Sequence, residues 1–263
     1  NVLTGVSLSG DKYTYQNPLN TDKPDRWEWH VCPCCPPMFL KIMAAMPGYI
    51  YAYQGDNVYV NLFIGSEVRV PVGKSNSVRL KQLTSYPWHG AVSIQVNPDK
   101  ASTFSMKVRI PGWAQGTENP YDLYQSNLKA PVKLKVNQED VLLRIVDGYA
   151  EINREWKKGD HIELELPMQP RLITANKAVE NLRGQVALAS GPIIYCFEDA
   201  DNPELQTFKL QAQTPLELSH DSNLLNGVNI IKCQGDIPAK AIPYYAVANR
   251  EESHSYKVWI PQK

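Results

Sequence analysis

Thr103-Phe104-Ser105-Met106-Lys107-Val108-Arg109-Ile110 carries an apolar side chain at every second position, with hydroxyl or basic residues between. Successive side chains of a strand point to opposite faces, so this spacing predicts a half-buried β-strand with Phe104, Met106, Val108 and Ile110 facing a core. The same period runs outward on both sides. Upstream it covers Asn57–Ile64, Val68–Val70, Ser77–Leu80 and Val92–Val96; downstream it covers Val132–Val136, Tyr149–Ile152 and His161–Leu166. Short strands separated by turn residues at this spacing predict an antiparallel β-sandwich that closes near Pro167.

Beyond Pro167 the texture stays β, with Val186–Leu188, Ile193–Phe197, Phe208–Leu210, Val228–Ile231, Tyr244–Val247 and Tyr256–Ile260 as strand candidates. A second, smaller β domain is expected there. Ala175–Leu182 has some helical promise, weakened by Asn176, Asn181 and Gly184. Upstream of the first sandwich the pattern is helical instead: Pro36-Pro37 suits a first turn, and Met38 to Met46 supplies the apolar residues. One helix is expected from Pro37 to about Met46, stopped by Pro47-Gly48. Before it, Val2-Leu3, Val6–Leu8 and Tyr13–Tyr15 around Ser9-Gly10-Asp11 read as a β-ribbon. Asn17–Arg26 then reads as a loop that delivers Trp27 and Trp29 to a cysteine cluster. The expected organisation is 1–48, 49–167 and 168–263.

Composition narrows the function. Hydrophobic residues make up 43% of the 263 and charged residues 21%, with 27 basic against 27 acidic side chains. That is a globular composition without the clustered positive charge that nucleic-acid backbones require. The longest apolar run, Phe39–Pro47, is broken by Lys41 and is far short of the roughly 20 residues of a membrane span. Neither nucleic acid nor a membrane is expected as partner. The chain opens at Asn1 with no targeting pattern, as expected of a processed chain or a piece of a longer one. Compartment is therefore not legible, a bacterial periplasmic or secreted setting being one reading.

Three of the five cysteines fall within Cys32-Pro33-Cys34-Cys35. Neighbours this close are poor disulfide partners. They sit where a loop becomes a helix N-terminus, an environment that lowers a thiol's pKa. Zinc is usually four-coordinate, so two or three thiolates here would need a further ligand from elsewhere, and no second Cys-x-x-Cys pair supplies one. The competing reading is a set of buried, inert thiols, because free Cys behaves as a small hydrophobe.

Cys34-Cys35-Pro36-Pro37, followed by Pro47–Ala52 and Tyr59–Leu62, resembles the signature region of glycoside hydrolase family 127 and its relatives, including family 146. The resemblance continues through Arg109–Trp113, Gly148-Tyr149, Arg154–Trp156, Gly159-Asp160, Gly191–Tyr195, Ala241–Tyr245, Ala248–Arg250 and Val258–Pro261. It implies a retaining β-L-arabinofuranosidase built from an (α/α)6 barrel and following β-sandwiches, so that the Pro37–Met46 helix is the barrel's last. By position, Cys34 matches the family's nucleophile and a zinc ligand, Cys35 a second zinc ligand, and Cys32 a candidate third thiol. A thiolate attacking the anomeric carbon forms a thioglycosyl intermediate, which water hydrolyses with retention. The resemblance implies that the acid/base carboxyl and the other zinc ligands come from the upstream barrel. The chain would then be inactive by itself, with weak or absent zinc. Met38 and Lys41 depart from the Asn and Arg of many relatives, which bears on substrate preference. A non-catalytic carbohydrate-binding or scaffolding module is the alternative.

Other residues carry two readings each. Trp27, Trp29 and His30 could line a sugar pocket or pack locally, and Trp88-His89 and Trp113 could form a carbohydrate platform or fill corners. Glu151, Glu155, Glu163 and Glu165 alternate along strands as solvent-facing residues do. Cys196 and Cys233 read as unreactive thiols, with a mutual disulfide as the alternative.

Overall fold

The computed structural model describes residues 6–28, 31 and 35–263, with the backbone alone at 35, 36 and 120. The chain is mainly β, as the alternation predicts. Two compact units are present. The middle unit comprises Met43–Gln115 and Lys129–Met168; the carboxy-terminal unit comprises the described part of Asn1–Ile42 with Gly116–Leu128 and Gln169–Lys263.

The middle unit is a sandwich of two sheets. One runs in the order Glu139–Asp140, Lys133–Val136, Asp160–Glu165, Ala91–Pro98, Asn76–Thr84, Ser66–Val72; the other runs Ile145–Val146, Tyr149–Trp156, Ser102–Arg109, Asn57–Val60, Tyr51–Gln54. Alternate residues of the inner strands are buried: Val78 and Leu80, Val92, Ile94 and Val96, Ile162 and Leu164 on one sheet, and Val58, Val60, Phe104, Met106 and Val108 on the other. Trp156 is fully buried among them and donates its indole N–H to the Phe104 carbonyl at 3.1 Å. Two hairpins use turns with both central residues at positive φ, Asn137-Gln138 and Asp147-Gly148, the conformation that matches strand twist. One pairing departs from the antiparallel expectation: Asn57–Val60 runs parallel to Ser102–Arg109. Between these strands the chain crosses to the other sheet and builds three strands there, so a crossover rather than a tight hairpin joins them.

Gly90 marks a close backbone approach in this unit. A β-carbon there would lie 2.0 Å from the Leu166 carbonyl oxygen and 3.1 Å from Met168 Cγ. The Leu166 N–H donates to the Gly90 carbonyl at 3.1 Å, so the two segments separate only by breaking that bond. Gly90→Ala is expected to lower stability by about 1–3 kcal/mol. Urea unfolding measures this, and an unchanged midpoint would show that the segments yield freely.

The carboxy-terminal unit is organised by one ten-stranded sheet, ordered Leu216–Asp221, Val228–Cys233, Ala239–Pro243, Ile193–Glu198, Gln185–Ser190, Arg171–Ala175, Tyr124–Ser126. Tyr256–Lys257 joins at Ile193–Glu198, Asn20–Thr21 pairs with Tyr256–Lys257, and Ile260–Pro261 adds to Gln185–Ser190. Both faces of the central strands are buried, which is why Val186–Ala189 and Ile193–Phe197 read as continuous apolar runs rather than alternation. Val186, Leu188, Tyr195, Phe197 and Ile231 pack on one side with Leu205, Phe208 and Leu210. Ala187, Ala189, Cys196, Ile230 and Ile242 pack on the other with Val247, Tyr256, Val258 and Trp259.

The strand Tyr124–Ser126 belongs to this sheet although its sequence lies inside the stretch read above as the first sandwich. It pairs with Ile173–Ala175, and an ion pair fixes the segment that leads into it. Arg171 donates from Nε to Glu118 Oε1 at 2.6 Å and from Nη2 to Oε2 at 2.8 Å, and from Nη1 to the Gly191 carbonyl at 2.7 Å. The two side chains are only 2% and 6% exposed.

Helix geometry differs from expectation at both ends. The helix spans Cys35–Ala45, starting earlier because Pro36 and Pro37 fall in the first turn, where no N–H is needed. Pro47 does not end the helical backbone; it opens a second short helix, Pro47–Ile50. Ala175–Leu182 contains only a 3₁₀ turn, Glu180–Leu182. No helix among the described residues is long and apolar enough to cross a membrane.

Candidate functional site

Trp29, His30, Cys32 and Cys34 lie outside the described residues. Cys35 contributes its backbone as the first residue of the helix. Beyond it Met38, Leu40, Ile42 and Met43 are all exposed, an unusual state for an apolar helix, which ordinarily buries such a surface.

The segment leading to the cluster is described in detail. Val6 and Tyr13 form an isolated bridge within the stretch read as a ribbon, and Tyr13 forms another with Trp27; Asn17–Arg26, read as a loop, contains the short strand Asn20–Thr21. Tyr13 and Trp27 exchange both backbone hydrogen bonds, at 2.9 and 2.8 Å. The half-buried Trp27 indole stacks on Tyr15 at 6.2 Å and donates to Asp25 Oδ2 at 2.6 Å.

This segment is stitched to the carboxy-terminal unit by polar contacts. The Tyr244 and Tyr256 hydroxyls both donate to the Pro18 carbonyl, at 2.9 and 2.8 Å. Asn20 Oδ1 accepts from the Val258 and Trp259 N–H groups at 2.9 and 3.0 Å, and its Nδ2 donates to the Trp259 carbonyl. The buried Arg26 donates from Nη2 to the Val247 carbonyl at 2.7 Å and from Nε to the Ala248 carbonyl at 3.1 Å. The Leu8 N–H donates to Asn249 Oδ1 at 2.8 Å.

The turn that receives Arg26 is itself fixed by charge. Glu198, with 0% exposure, accepts from the Ala248 N–H at 2.7 Å and pairs with Arg250. Arg250 also reaches Asp201 at 2.7 Å, and Lys240 pairs with Asp201. Burial works against each charge, yet the Arg250 guanidinium is held more basic than usual by Asp201 and Glu198. Burial likewise raises the Asp201 carboxyl, but Arg250 and Lys240 more than offset it and hold it below the ordinary carboxylate range. Burial makes Arg26 less basic, with Tyr256, Glu198 and Tyr244 opposing. Ala248 sits at φ 56°, a left-handed conformation that a non-glycine residue keeps only when its surroundings hold it; here its N–H and carbonyl are both engaged. Sequence reading did not assign roles to Arg26, Glu198 or Arg250. The only signal was Ala248-Asn249-Arg250, a motif without visible chemistry.

Other candidates resolve as packing or surface. Trp113 is buried in the 3₁₀ turn Gly112–Gln115, whereas Trp88 is partly exposed. Glu151 and Glu155 lie near Lys107 and Lys157, at 3.9 and 3.3 Å, and Glu155 and Glu165 are exposed. Cys196 and Cys233 are free and buried; burial pushes both thiols up, Cys233 to about 12. They are therefore protonated and unreactive at neutral pH. No group of three or more His, Cys, Asp and Glu placed to hold a metal occurs among the described residues.

Comparison with known proteins gives a consistent pattern. Residues 1–48 match the β-L-arabinofuranosidase GH127 catalytic domain, residues 57–168 the GH127 middle domain, and residues 170–261 the family 127 C-terminal domain. The chain is 29% identical to a non-reducing end β-L-arabinofuranosidase of Bifidobacterium longum, over 95% of this chain and 42% of that protein. A family 127 β-arabinofuranosidase of known structure superposes with a TM-score of 0.89 at 34% identity, over 99% of this chain and 44% of the other. A family 127 β-L-arabinofuranosidase from Geobacillus stearothermophilus superposes with a TM-score of 0.87 at 33% identity, over 99% and 44%. The chain thus spans less than half the length of each of these relatives.

Proposed function

Because this chain belongs to glycoside hydrolase family 127, we propose that it is the C-terminal part of a retaining β-L-arabinofuranosidase, acting on β-L-arabinofuranosides or similar plant glycans with Cys34 as nucleophile. The observation that carries this reading is the order of the three matched domains, with the cysteine cluster inside the one described as catalytic. The cluster's place just before a helix favours thiolate over thiol. Cys34 Sγ attacks the anomeric carbon, the glycosidic bond breaks, and a carboxylic acid outside this chain protonates the leaving oxygen. Deprotonated by the same carboxyl, water then displaces the thiolate, so two inversions leave the configuration unchanged.

Zinc is the metal that the family resemblance implies. Soft thiolate donors suit it, and Cys34 and Cys35, with Cys32 as a third thiol, are the residues of this chain that would hold it. When bound, it would lower the thiol pKa and so keep sulfur in its nucleophilic form. Its remaining ligands would come from an upstream domain of the kind the longer relatives have room for. That domain would be the partner covering the exposed apolar helix Cys35–Ala45.

The test uses the full-length protein and a chromogenic β-L-arabinofuranoside, with the anomer of the released sugar followed by NMR. Hydrolysis with initial release of the β-anomer is expected, and inversion would reject the two-step route. The 263-residue chain alone is expected to hydrolyse little and to bind less than one equivalent of zinc. Tight stoichiometric zinc on it would overturn the need for upstream ligands.

A further inference from the structure

We infer that residues 6–28 form a releasable strap, latched by polar bonds to the carboxy-terminal unit and able to leave and rejoin it as one piece while the sheet of that unit stays folded. The two partners come from stretches matched to different domains, residues 1–48 to the catalytic domain and residues 170–261 to the C-terminal domain, so the strap is a reversible joint between the two. Within residues 6–28 only Ser7 and Arg26 are buried, and Val6, Leu8 and Leu19 are exposed. The strap has almost no apolar core of its own. Directional bonds hold it: the Pro18 carbonyl to the Tyr244 and Tyr256 hydroxyls, the Leu19 carbonyl to the Val258 N–H at 2.8 Å, Asn20 to residues 258–259, and Arg26 to the carbonyls of 247–248. Strand pairing adds only Asn20–Thr21 against Tyr256–Lys257. The unit it docks on is held instead by apolar clusters on both faces of its sheet.

Segments with few buried apolar contacts open below the free energy of global unfolding, because each polar bond they lose is largely replaced by one to water. The receiving surface is built to survive such an opening. Glu198 is satisfied by the Ala248 N–H and by Arg250, Arg250 also by Asp201, and Asp201 also by Lys240, so two carboxylates and two cations balance within the unit. Release strands no buried charge there. What it uncovers is the carbonyls of Val247, Ala248 and Trp259 and two tyrosine hydroxyls, all groups that water can serve. Arg26 regains the hydration that burial denies it, the same burial that makes it less basic. The bonds also leave a signature on both partners. The Tyr13 and Trp27 N–H groups are protected within the strap, and those of Val258 and Trp259 are protected by it. With no apolar core to keep its own pairing once detached, the strap exposes all four in one event.

The experiment is native-state amide hydrogen exchange on the full-length protein, resolved to single residues by fragmentation mass spectrometry, at several guanidinium concentrations below the unfolding transition. The amides of Tyr13, Trp27, Val258 and Trp259 are expected to share one opening rate, about 100-fold or more above the slowest amides of Gln185–Ser190 and Ile193–Glu198, with little dependence on denaturant. Arg26→Met should raise that shared rate roughly tenfold and leave the sheet amides unchanged. The double variant Tyr244→Phe/Tyr256→Phe keeps both rings, drops the two donors to the Pro18 carbonyl, and should act about as strongly. If Arg26→Met does not fold, the native protein and the tyrosine pair carry the test. Strap amides that exchange only as slowly as the sheet would overturn the proposal, as would four unrelated rates, or variants that speed strap and sheet alike. None of these readouts depends on catalysis, so the outcome is separate from the assignment of the nucleophile.

Discussion

Replacing Cys34 by serine in the full-length protein is expected to lower kcat/KM on a β-L-arabinofuranoside by about a thousandfold or more, the order of loss seen when a covalent nucleophile is removed. Serine keeps the shape but not the chemistry. Its hydroxyl ionises far above a thiol, so almost no oxyanion is available at neutral pH, and its oxygen is a poorer ligand for a borderline-soft metal than sulfur. The loss should therefore fall on kcat together with zinc content. Cys196→Ser and Cys233→Ser serve as controls, because both thiols are buried, free and held protonated. Full activity in Cys34→Ser would rule out the nucleophile assignment, whatever happens to the metal.

Arg171→Met is expected to be the most damaging single change to the stability of the carboxy-terminal unit. Arg171 is 2% exposed, and both Glu118 carboxylate oxygens and the Gly191 carbonyl accept from it. Removing one partner of a buried pair leaves the other charge without compensation, at a cost of about 3–5 kcal/mol. The strand Tyr124–Ser126 should loosen first, because Glu118 lies in the segment that leads into it. Adding Glu118→Gln to Arg171→Met should return part of the loss, since the stranded carboxylate is then gone. Denaturant unfolding of the single and double variants measures both steps. A double variant less stable than Arg171→Met would contradict the stranded-charge account.

Residues differ in how much they reveal before folding. Phe104, Met106 and Val108 announced a strand and its buried face, because a sheet wetted on one side forces alternation. Val186–Leu188 and Ile193–Phe197 were legible as strand candidates, but without alternation they did not show which face is buried, since both faces of their sheet are covered. Val136–Glu139 and Val146–Tyr149 are hairpins in which Asn137, Asp147 and Gly148 suit positive φ, whereas Gln138 takes it without that preference. The cysteine cluster was legible because thiols this close have few structural uses. Arg26, Glu198 and Arg250 were not, because a charged residue in isolation reads as surface.

The sequence by itself determined the β character of the chain, the helix after the cysteines and the family. Each of these depends on local periodicity or on side-chain identity, which are present before the chain folds. Tertiary structure decided the rest. It placed residues 57–60 parallel to 102–109, took 116–128 into the carboxy-terminal unit, and joined Arg26 to a turn more than 200 residues away. Those outcomes depend on long-range pairing and on burial of charge, whose energies exist only once distant segments meet.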